Sequence, residues 1–188
     1  LCGMRKVEEI KIVNQWKPDM IGFVFARESK RYVDSETAAL LKRNLDPAIR
    51  AVGVFVNEDA DKIVSLLESG VIDLAQLHGN EDASYLKKLR EKTKKPLIQA
   101  VRAVDRMVLK AAEQSTADYI MADSGAGTGK TFDWKILSEI RRPYFLAGGR
   151  AEKNVGEAIK EMPQLAVDVS AGIATGGRKE QEKTNAST

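Results

Sequence analysis

A chain of 188 residues, of which 43% are hydrophobic, is long enough for a single domain with a sizeable core. Its 30 Lys and Arg nearly balance its 27 Asp and Glu, and no five like charges run together, which excludes a broad nucleic-acid-binding face. A single cysteine, Cys2, excludes an internal disulfide and an all-cysteine metal site, and no apolar run is long enough to span a membrane. We therefore expect a cytoplasmic protein with neither a nucleic-acid nor a membrane partner.

Short apolar runs recur along the chain and predict the strands of a parallel sheet. Near-continuous runs of this length are typical of strands that are buried on both faces. Leu1-Cys2 is predicted to be the end of a clipped first strand, because the chain opens without Met. The other runs are residues 20–25, 51–56, 72–77, 96–101, 119–122, 143–147 and 165–169. Segments with helical spacing lie at residues 59–69, 82–94, 104–114, 134–141 and 152–161.

This alternation of strand and helix predicts an α/β protein, a (βα)8 TIM barrel over residues 1–178. Its first strand is expected to be clipped at the N-terminus and its last helix to be short or missing. An open doubly wound sheet is the alternative architecture. Residues 179–188 are polar and lack an apolar face, so we expect a disordered tail or an incomplete last helix.

Polar residues close several of the predicted strands. Because the active site of a barrel forms at the C-terminal ends of its strands, Cys2, Asp123 and Asp168 would share one opening. Arg31, Asn57 and His78 follow other strands and would lie around the same rim. Each has an ordinary structural explanation: a cysteine packs in cores, an aspartate closes turns, and His78 fits a structural role best. Their shared placement favours a site.

Gly-rich segments predict that this site binds phosphate. Gly148-Gly149 follows the predicted seventh strand, Ser170 to Gly172 follows the eighth, and residues 123–131 follow the sixth. Glycine lets backbone N–H groups approach an anion closely, and the loops after strands seven and eight commonly hold phosphate in barrels. Two tight turns would be the simpler explanation for these glycines.

Residues 124–131 also resemble a nucleotide-binding P-loop, G-x-x-x-x-G-K-[ST]. Gly129, Lys130 and Thr131 fit that pattern, but Ser124 occupies the position of its first glycine. Residues 132–134 then read Phe-Asp-Trp where a helix should already have begun. We therefore favour a phosphate loop of a barrel over a nucleotidase.

Seven motifs, in order from residue 1 to about residue 180, are similar to the signature segments of the phosphoribosylanthranilate isomerase family. Any one of them is weak evidence, but all seven together are specific. They are Leu1-Cys-Gly-Met, Gly22-Phe-Val-Phe with Ser29-Lys-Arg-Tyr, Gly53-Val-Phe-Val-Asn, Gln76-Leu-His-Gly, Gly127-Thr-Gly-Lys-Thr-Phe-Asp-Trp, Leu146-Ala-Gly-Gly and Asp168-Val-Ser-Ala-Gly.

This resemblance implies an Amadori rearrangement of N-(5-phosphoribosyl)anthranilate in tryptophan biosynthesis, without a metal or a redox cofactor. Asp123 matches the general acid that opens the furanose ring, and Cys2 matches the general base at the sugar C2. Arg31 and Asp168 match residues that hold the substrate, and we place His78 with them. The phosphate is expected to bind Gly129, Gly148, Gly149, Ser170 and Gly172. The thiol must be partly ionised near neutral pH and the acid protonated.

Two segments depart from the family pattern. The family commonly has a second Ser where this chain has Ala171, and often Glu-Thr-Asp-Gly where residues 174–177 read Ala-Thr-Gly-Gly. These changes affect the phosphate loop and the expected start of the last helix. The acid and the base are unchanged.

Other functions stay open at this point. An indole-glycerol-phosphate synthase relative would need a Lys on an inner strand, and a pentose-phosphate epimerase relative usually has a pair of metal-binding His. No predicted strand contains Lys, and the chain has one His. A barrel that binds a phosphorylated ligand without turning it over is the third possibility. The protein is expected to be a monomer or homodimer, free or fused to another enzyme of the pathway.

Overall fold

A computed structural model of the chain describes residues 1–102, 106–123 and 140–147, and the backbone of residues 166–168, 174–175 and 178–179. Its helices are α1 Val7–Trp16, α2 Ser35–Arg43, α3 Ala60–Glu68, α4 Ala83–Lys92 and α5 Arg106–Glu113. Its strands are β1 Met20–Val24, β2 Arg50–Phe55, β3 Leu74–Leu77, β4 Leu97–Arg102, β5 Tyr119–Asp123, β6 Tyr144–Ala147, β7 Ala166–Asp168, β8 Ala174–Thr175 and β9 Arg178–Lys179.

Strands β1 to β7 form one parallel sheet in which every strand lies beside its neighbour in the chain. A doubly wound sheet would instead reverse its strand order at a switch point. Before β1, Cys2 forms a parallel bridge with Gly22. The seven strands predicted after Leu1-Cys2 are thus confirmed, and the bridge places Cys2 beside the first of them.

One face of this sheet encloses a core of its own. Side chains alternate between the two faces of a strand, so residues two apart share a face. Six strands contribute to a single cluster on this face, which we call the inner face: Met20, Val52, Leu74, Ile98, Ala100, Tyr119, Met121, Phe145 and Ala147. The rings of Tyr119 and Phe145 pack edge to face within it, with centroids 5.5 Å apart. A sheet whose strands share one cluster in this way curls around that cluster.

Helices cover the outer face. Ile63 and Leu67 of α3 and Ile10 of α1 are each completely buried there, and burial of such a side chain stabilises a fold by about 1.5–3 kcal/mol. Helices α1 and α2 lie between strands in segments for which the sequence analysis names no helix. Their buried faces are narrow, with only Ala38 and Leu41 buried in α2. Such narrow faces give a weak periodic signal.

Near the C-terminus, β8 and β9 pair antiparallel as Ala174 with Lys179 and Thr175 with Arg178. This segment is extended where the sequence analysis placed the start of a last helix that it expected to be short or missing. Lys179 was also the first residue of the predicted tail. Residues 180–188, the segment predicted as a helix at 152–161 and most of that at 134–141 lie outside the described residues.

Candidate active site

Cys2 lies against β1 because residue 22 is a glycine. The N–H of Gly22 donates to Leu1 O at 2.8 Å, and the N–H of Gly3 donates to Gly22 O at 2.9 Å. A Cβ built on Gly22 would lie 2.7 Å from the Sγ of Cys2. Residue 22 shares its face with Met20, which packs against the inner cluster. The thiol is therefore held on the inner face, at the edge of the sheet formed by β1.

Arg31 packs beside the same segment. Gly3 has φ 88°, and a Cβ built there would collide with Cδ of Arg31. A second contact holds the loop that carries Arg31, since Nη1 of Arg5 donates to Lys30 O at 2.8 Å. The structure thus places Arg31, a predicted substrate-binding residue, beside the residue that follows the predicted base.

His78 and Asp123 meet at the C-terminal end of the sheet. His78 directly follows β3 and Asp123 ends β5. Nε2 of His78 and Oδ2 of Asp123 are 3.2 Å apart, and the two side chains are 35% and 21% exposed. A third residue adds to the pair, because Nε2 of Gln76 lies 2.9 Å from Nδ1 of His78. A pocket at this point would therefore be lined by an oriented carboxyl and an imidazole.

The turn that carries His78 is fixed by a buried carboxylate. Glu81 is 8% exposed. Its Oε1 accepts the N–H of Asn57 and its Oε2 accepts the N–H of Gly79, both at 2.7 Å. Oδ1 of Asn57 in turn accepts the N–H of Asn80 at 2.8 Å. We call these four residues the Glu81 clamp, and it ties the loop after β2 to the loop after β3.

The strand register places further charged residues at the same level. Arg102 of β4 pairs with Asp123, Asp123 pairs with Ala147 of β6, and Ala147 pairs with Asp168 of β7. Neighbouring strands are about 4.8 Å apart, so the backbones of Asp123 and Asp168 lie roughly 10 Å apart. Asp168 is thus at the expected level, although its side chain is outside the described atoms.

The predicted phosphate-binding residues Gly129, Gly148, Gly149, Ser170 and Gly172 all lie outside the described residues. Along the chain, Gly148 directly follows β6 and Ser170 lies two residues after β7. Those two strands are parallel neighbours. Within the described parts of the chain, no three His, Cys, Asp or Glu side chains cluster as metal ligands would.

The sequence analysis missed Gln76, Glu81 and Arg102. Gln76 could have been found from the sequence. It is a polar residue two positions from both Leu74 and His78, and residues two apart in a strand face the same side. Glu81 could not, because nothing in its local sequence shows that it accepts two backbone N–H groups.

No helix among the described residues is long and apolar enough to span a membrane.

A family model and curated relatives match nearly the whole chain. A family model described as N-(5'phosphoribosyl)anthranilate (PRA) isomerase matches residues 1–187. The N-(5'-phosphoribosyl)anthranilate isomerase of Endomicrobium trichonymphae is 44% identical, over 97% of this chain and 92% of that protein. That of Caldanaerobacter subterraneus is 40% identical over the same shares.

Solved structures with the same name are also similar. The phosphoribosyl anthranilate isomerase of Thermotoga maritima has a TM-score of 0.86 at 31% identity, covering 99% of this chain and 94% of its own. Another was solved in complex with reduced 1-(o-carboxyphenylamino)-1-deoxyribulose 5-phosphate; its TM-score is 0.83 at 30% identity, over 98% of this chain and 93% of its own. A further Thermotoga maritima structure, with a TM-score of 0.84 at 31% identity over 98% of this chain and 93% of its own, is of monomers generated from a dimeric enzyme.

Proposed function

The chain belongs to the N-(5'-phosphoribosyl)anthranilate isomerase family, and we propose that it converts N-(5-phosphoribosyl)anthranilate to 1-(o-carboxyphenylamino)-1-deoxyribulose 5-phosphate in tryptophan biosynthesis. The observation that carries the proposal is a thiol on the inner face of a parallel sheet together with an oriented carboxyl at its C-terminal end: Cys2 lies beside β1, and Asp123 ends β5 within hydrogen-bonding distance of His78. The reaction needs one acid and one base, and no redox partner.

Asp123 is the proposed general acid. It delivers a proton to the furanose ring oxygen while the bond between that oxygen and C1 breaks. The lone pair of the anthranilate nitrogen forms the C=N bond, so the ring opens to a protonated Schiff base. The contact with His78 Nε2 fixes the orientation of the carboxyl before substrate binds. Preorganisation of this kind lowers the cost of reaching the reactive geometry.

Cys2 is the proposed general base. A proton on C2 is acidic because the adjacent iminium accepts the electron pair that its removal leaves behind. The Cys2 thiolate takes this proton and yields an enolamine, which becomes the ketone when C1 gains a proton and the C2 hydroxyl loses one. The thiolate form is required, and the neighbouring Arg31 is a candidate source of the positive charge that favours it.

The remaining site residues bind the substrate in this proposal. Arg31 and Asp168 hold its anthranilate and sugar portions, and His78 acts at the same rim. The phosphate binds backbone N–H groups of Gly129, Gly148, Gly149, Ser170 and Gly172. The parallel order of β1 to β7 supports closure into a full (βα)8 barrel, with residues 1–178 as the domain. A monomer or homodimer, fusion to a pathway enzyme, and a cytoplasmic location stay predictions.

The test is the decay of anthranilate-type fluorescence after phosphoribosylanthranilate is added. We expect wild-type protein to accelerate the decay well above its spontaneous rate. Cys2→Ala and Asp123→Asn should each lower kcat/KM by at least about a hundredfold. Asp61→Asn, on an exposed face of α3, is the matched control and should retain activity.

Circular dichroism on every variant distinguishes a lost group from a lost fold. If folded wild-type protein gives no decay above background, the chain is a ligand-binding barrel and the isomerase proposal is wrong. Full activity in both site variants would keep the reaction but overturn the assignment of acid and base.

A further inference from the structure

Gln76 is a polar residue in an apolar place. It is 4% exposed on the inner face of β3, and its register partners are Val54 of β2 and Ile98 of β4. A buried amide in such surroundings lowers stability relative to an aliphatic side chain unless its groups are hydrogen-bonded. Packing therefore does not explain a glutamine at this position, but a hydrogen-bond partner of its amide could.

That partner is Nδ1 of His78, 2.9 Å from the Gln76 amide nitrogen. An amide nitrogen has protons to donate and cannot accept. This orientation of the amide requires an unprotonated Nδ1 and places the ring proton on Nε2. Nε2 is the atom that faces Oδ2 of Asp123 at 3.2 Å, so it donates to the carboxyl. One chain of hydrogen bonds runs from Gln76 through His78 to Asp123.

We propose that Gln76 is a positioning residue that sets the tautomer and the charge of His78, and through it the orientation of the acid Asp123. A hydrogen bond donated to Nδ1 requires that this nitrogen carries no proton, which is the neutral form of the ring. A neutral imidazole orients Asp123, whereas an imidazolium would form an ion pair with it and favour the carboxylate over the acid. With Oδ2 accepting from Nε2, the proton of Asp123 is carried on Oδ1. The proposal rests on the role of Asp123 as the acid.

A small side chain makes this connection possible. The His78–Asp123 hydrogen bond crosses β4, which lies between β3 and β5. On the inner face of β4 the residue next to Ile98 is Ala100, level with Met121 of β5. The register Leu77 with Gln99 places His78 level with Ala100. A larger side chain at position 100 would stand between the imidazole and the carboxyl.

The test begins with the tautomer, which can be measured without turnover. His78 is the one histidine of the chain, so untagged protein labelled with ¹⁵N-histidine gives a single set of ring signals. We expect an unprotonated Nδ1 and a protonated Nε2 in the wild type near neutral pH. An Nδ1–H tautomer, or a doubly protonated ring, would overturn the proposal whether or not the protein is an isomerase.

Two substitutions then separate positioning from folding. Gln76→Leu keeps the size and suits the apolar neighbours, so the urea midpoint should be unchanged or higher. We expect kcat to fall at least about tenfold with KM within about twofold, and the ring signals to show a changed tautomer balance. In Gln76→Glu a carboxylate accepts from Nδ1, so both ring nitrogens should be protonated and kcat should fall further.

Gln15→Leu, on the exposed side of α1, is the matched control and should leave kcat and the ring signals unchanged. Ala100→Leu should lower kcat as Gln76→Leu does, because it separates His78 from Asp123. A Gln76→Leu protein with wild-type kcat would refute the proposal. Inactive wild-type protein with the expected tautomer would instead place the error in the proposed reaction.

Discussion

The Glu81 clamp gives a quantitative prediction for Glu81→Ala. The substitution removes two hydrogen bonds of 2.7 Å from backbone N–H groups to a carboxylate that is 8% exposed. A bond of this type to a charged group contributes about 1.5–3 kcal/mol. Asn57 is exposed and Gly79 half-buried, so water replaces part of what each N–H loses. We expect the free energy of unfolding to fall by about 2–3 kcal/mol in total.

The same change should affect catalysis, because the clamp fixes the turn that carries His78. We expect kcat to fall by roughly tenfold even under conditions in which the variant is fully folded. Glu81→Gln keeps one acceptor oxygen and should lie between wild type and Glu81→Ala in both measurements. Glu91→Ala, which removes an exposed carboxylate from α4, is the matched control.

Urea unfolding followed by circular dichroism measures the stability, and the fluorescence decay assay measures kcat on the same samples. A loss of less than about 0.5 kcal/mol for Glu81→Ala, the range usual for surface substitutions, would refute the reasoning. It would mean that the loops after β2 and β3 hold their positions without this carboxylate.

Three further predictions concern stability and the thiol. Ile63→Ala should lower the free energy of unfolding by about 2–5 kcal/mol and Ile63→Val by about 0.5–1.5 kcal/mol in urea titrations, because Ile63 of α3 is completely buried. Burial, followed by the charge of Glu81, raises the pKa of Tyr85 to about 12. The neutral form of Tyr85 is favoured in the folded state, so the free energy of unfolding should fall as pH rises from 10.0, the ordinary pKa of tyrosine, towards 12. Tyr85→Phe should remove that loss in urea titrations at alkaline pH. Gly22→Ala places a Cβ 2.7 Å from Sγ of Cys2, so kcat in the fluorescence assay should fall at least about tenfold, whereas Gly70→Ala, with no atom within 4 Å of its added Cβ, should lower only the urea midpoint.

A last prediction concerns acid. The Tyr85 backbone N–H that donates to Asp82, and then the Ser84 hydroxyl, lower the pKa of this N-cap from 3.8. Because its pKa is lowered, Asp82 stabilises the fold above pH 3.8. This stabilisation is lost as the pH falls through the pKa of Asp82 in the folded protein. Asp82→Ala should therefore lower the urea midpoint at pH 7 and make no difference in strong acid. An equal effect at both pH values would contradict the capping argument.

The strands and their order could be predicted from the amino-acid sequence. Each apolar run needs only its own residues to be recognised, and the runs from Met20 to Asp168 all became neighbours in one parallel sheet. Because parallel strands end at one edge, the sequence predicts that Cys2, Asp123 and Asp168 lie at that edge. The phosphate-binding role of the glycines stays a prediction.

Which of these residues are in contact depends on the tertiary structure. The hydrogen bond between His78 and Asp123 joins residues 45 positions apart and depends on the register of three strands. Gln76 and Glu81 are buried away from water, so their polar groups bond to protein atoms: Gln76 to a ring nitrogen of His78, and Glu81 to backbone N–H groups. Periodicity is a property of neighbours along the chain, whereas a hydrogen bond across a sheet depends on how distant strands align.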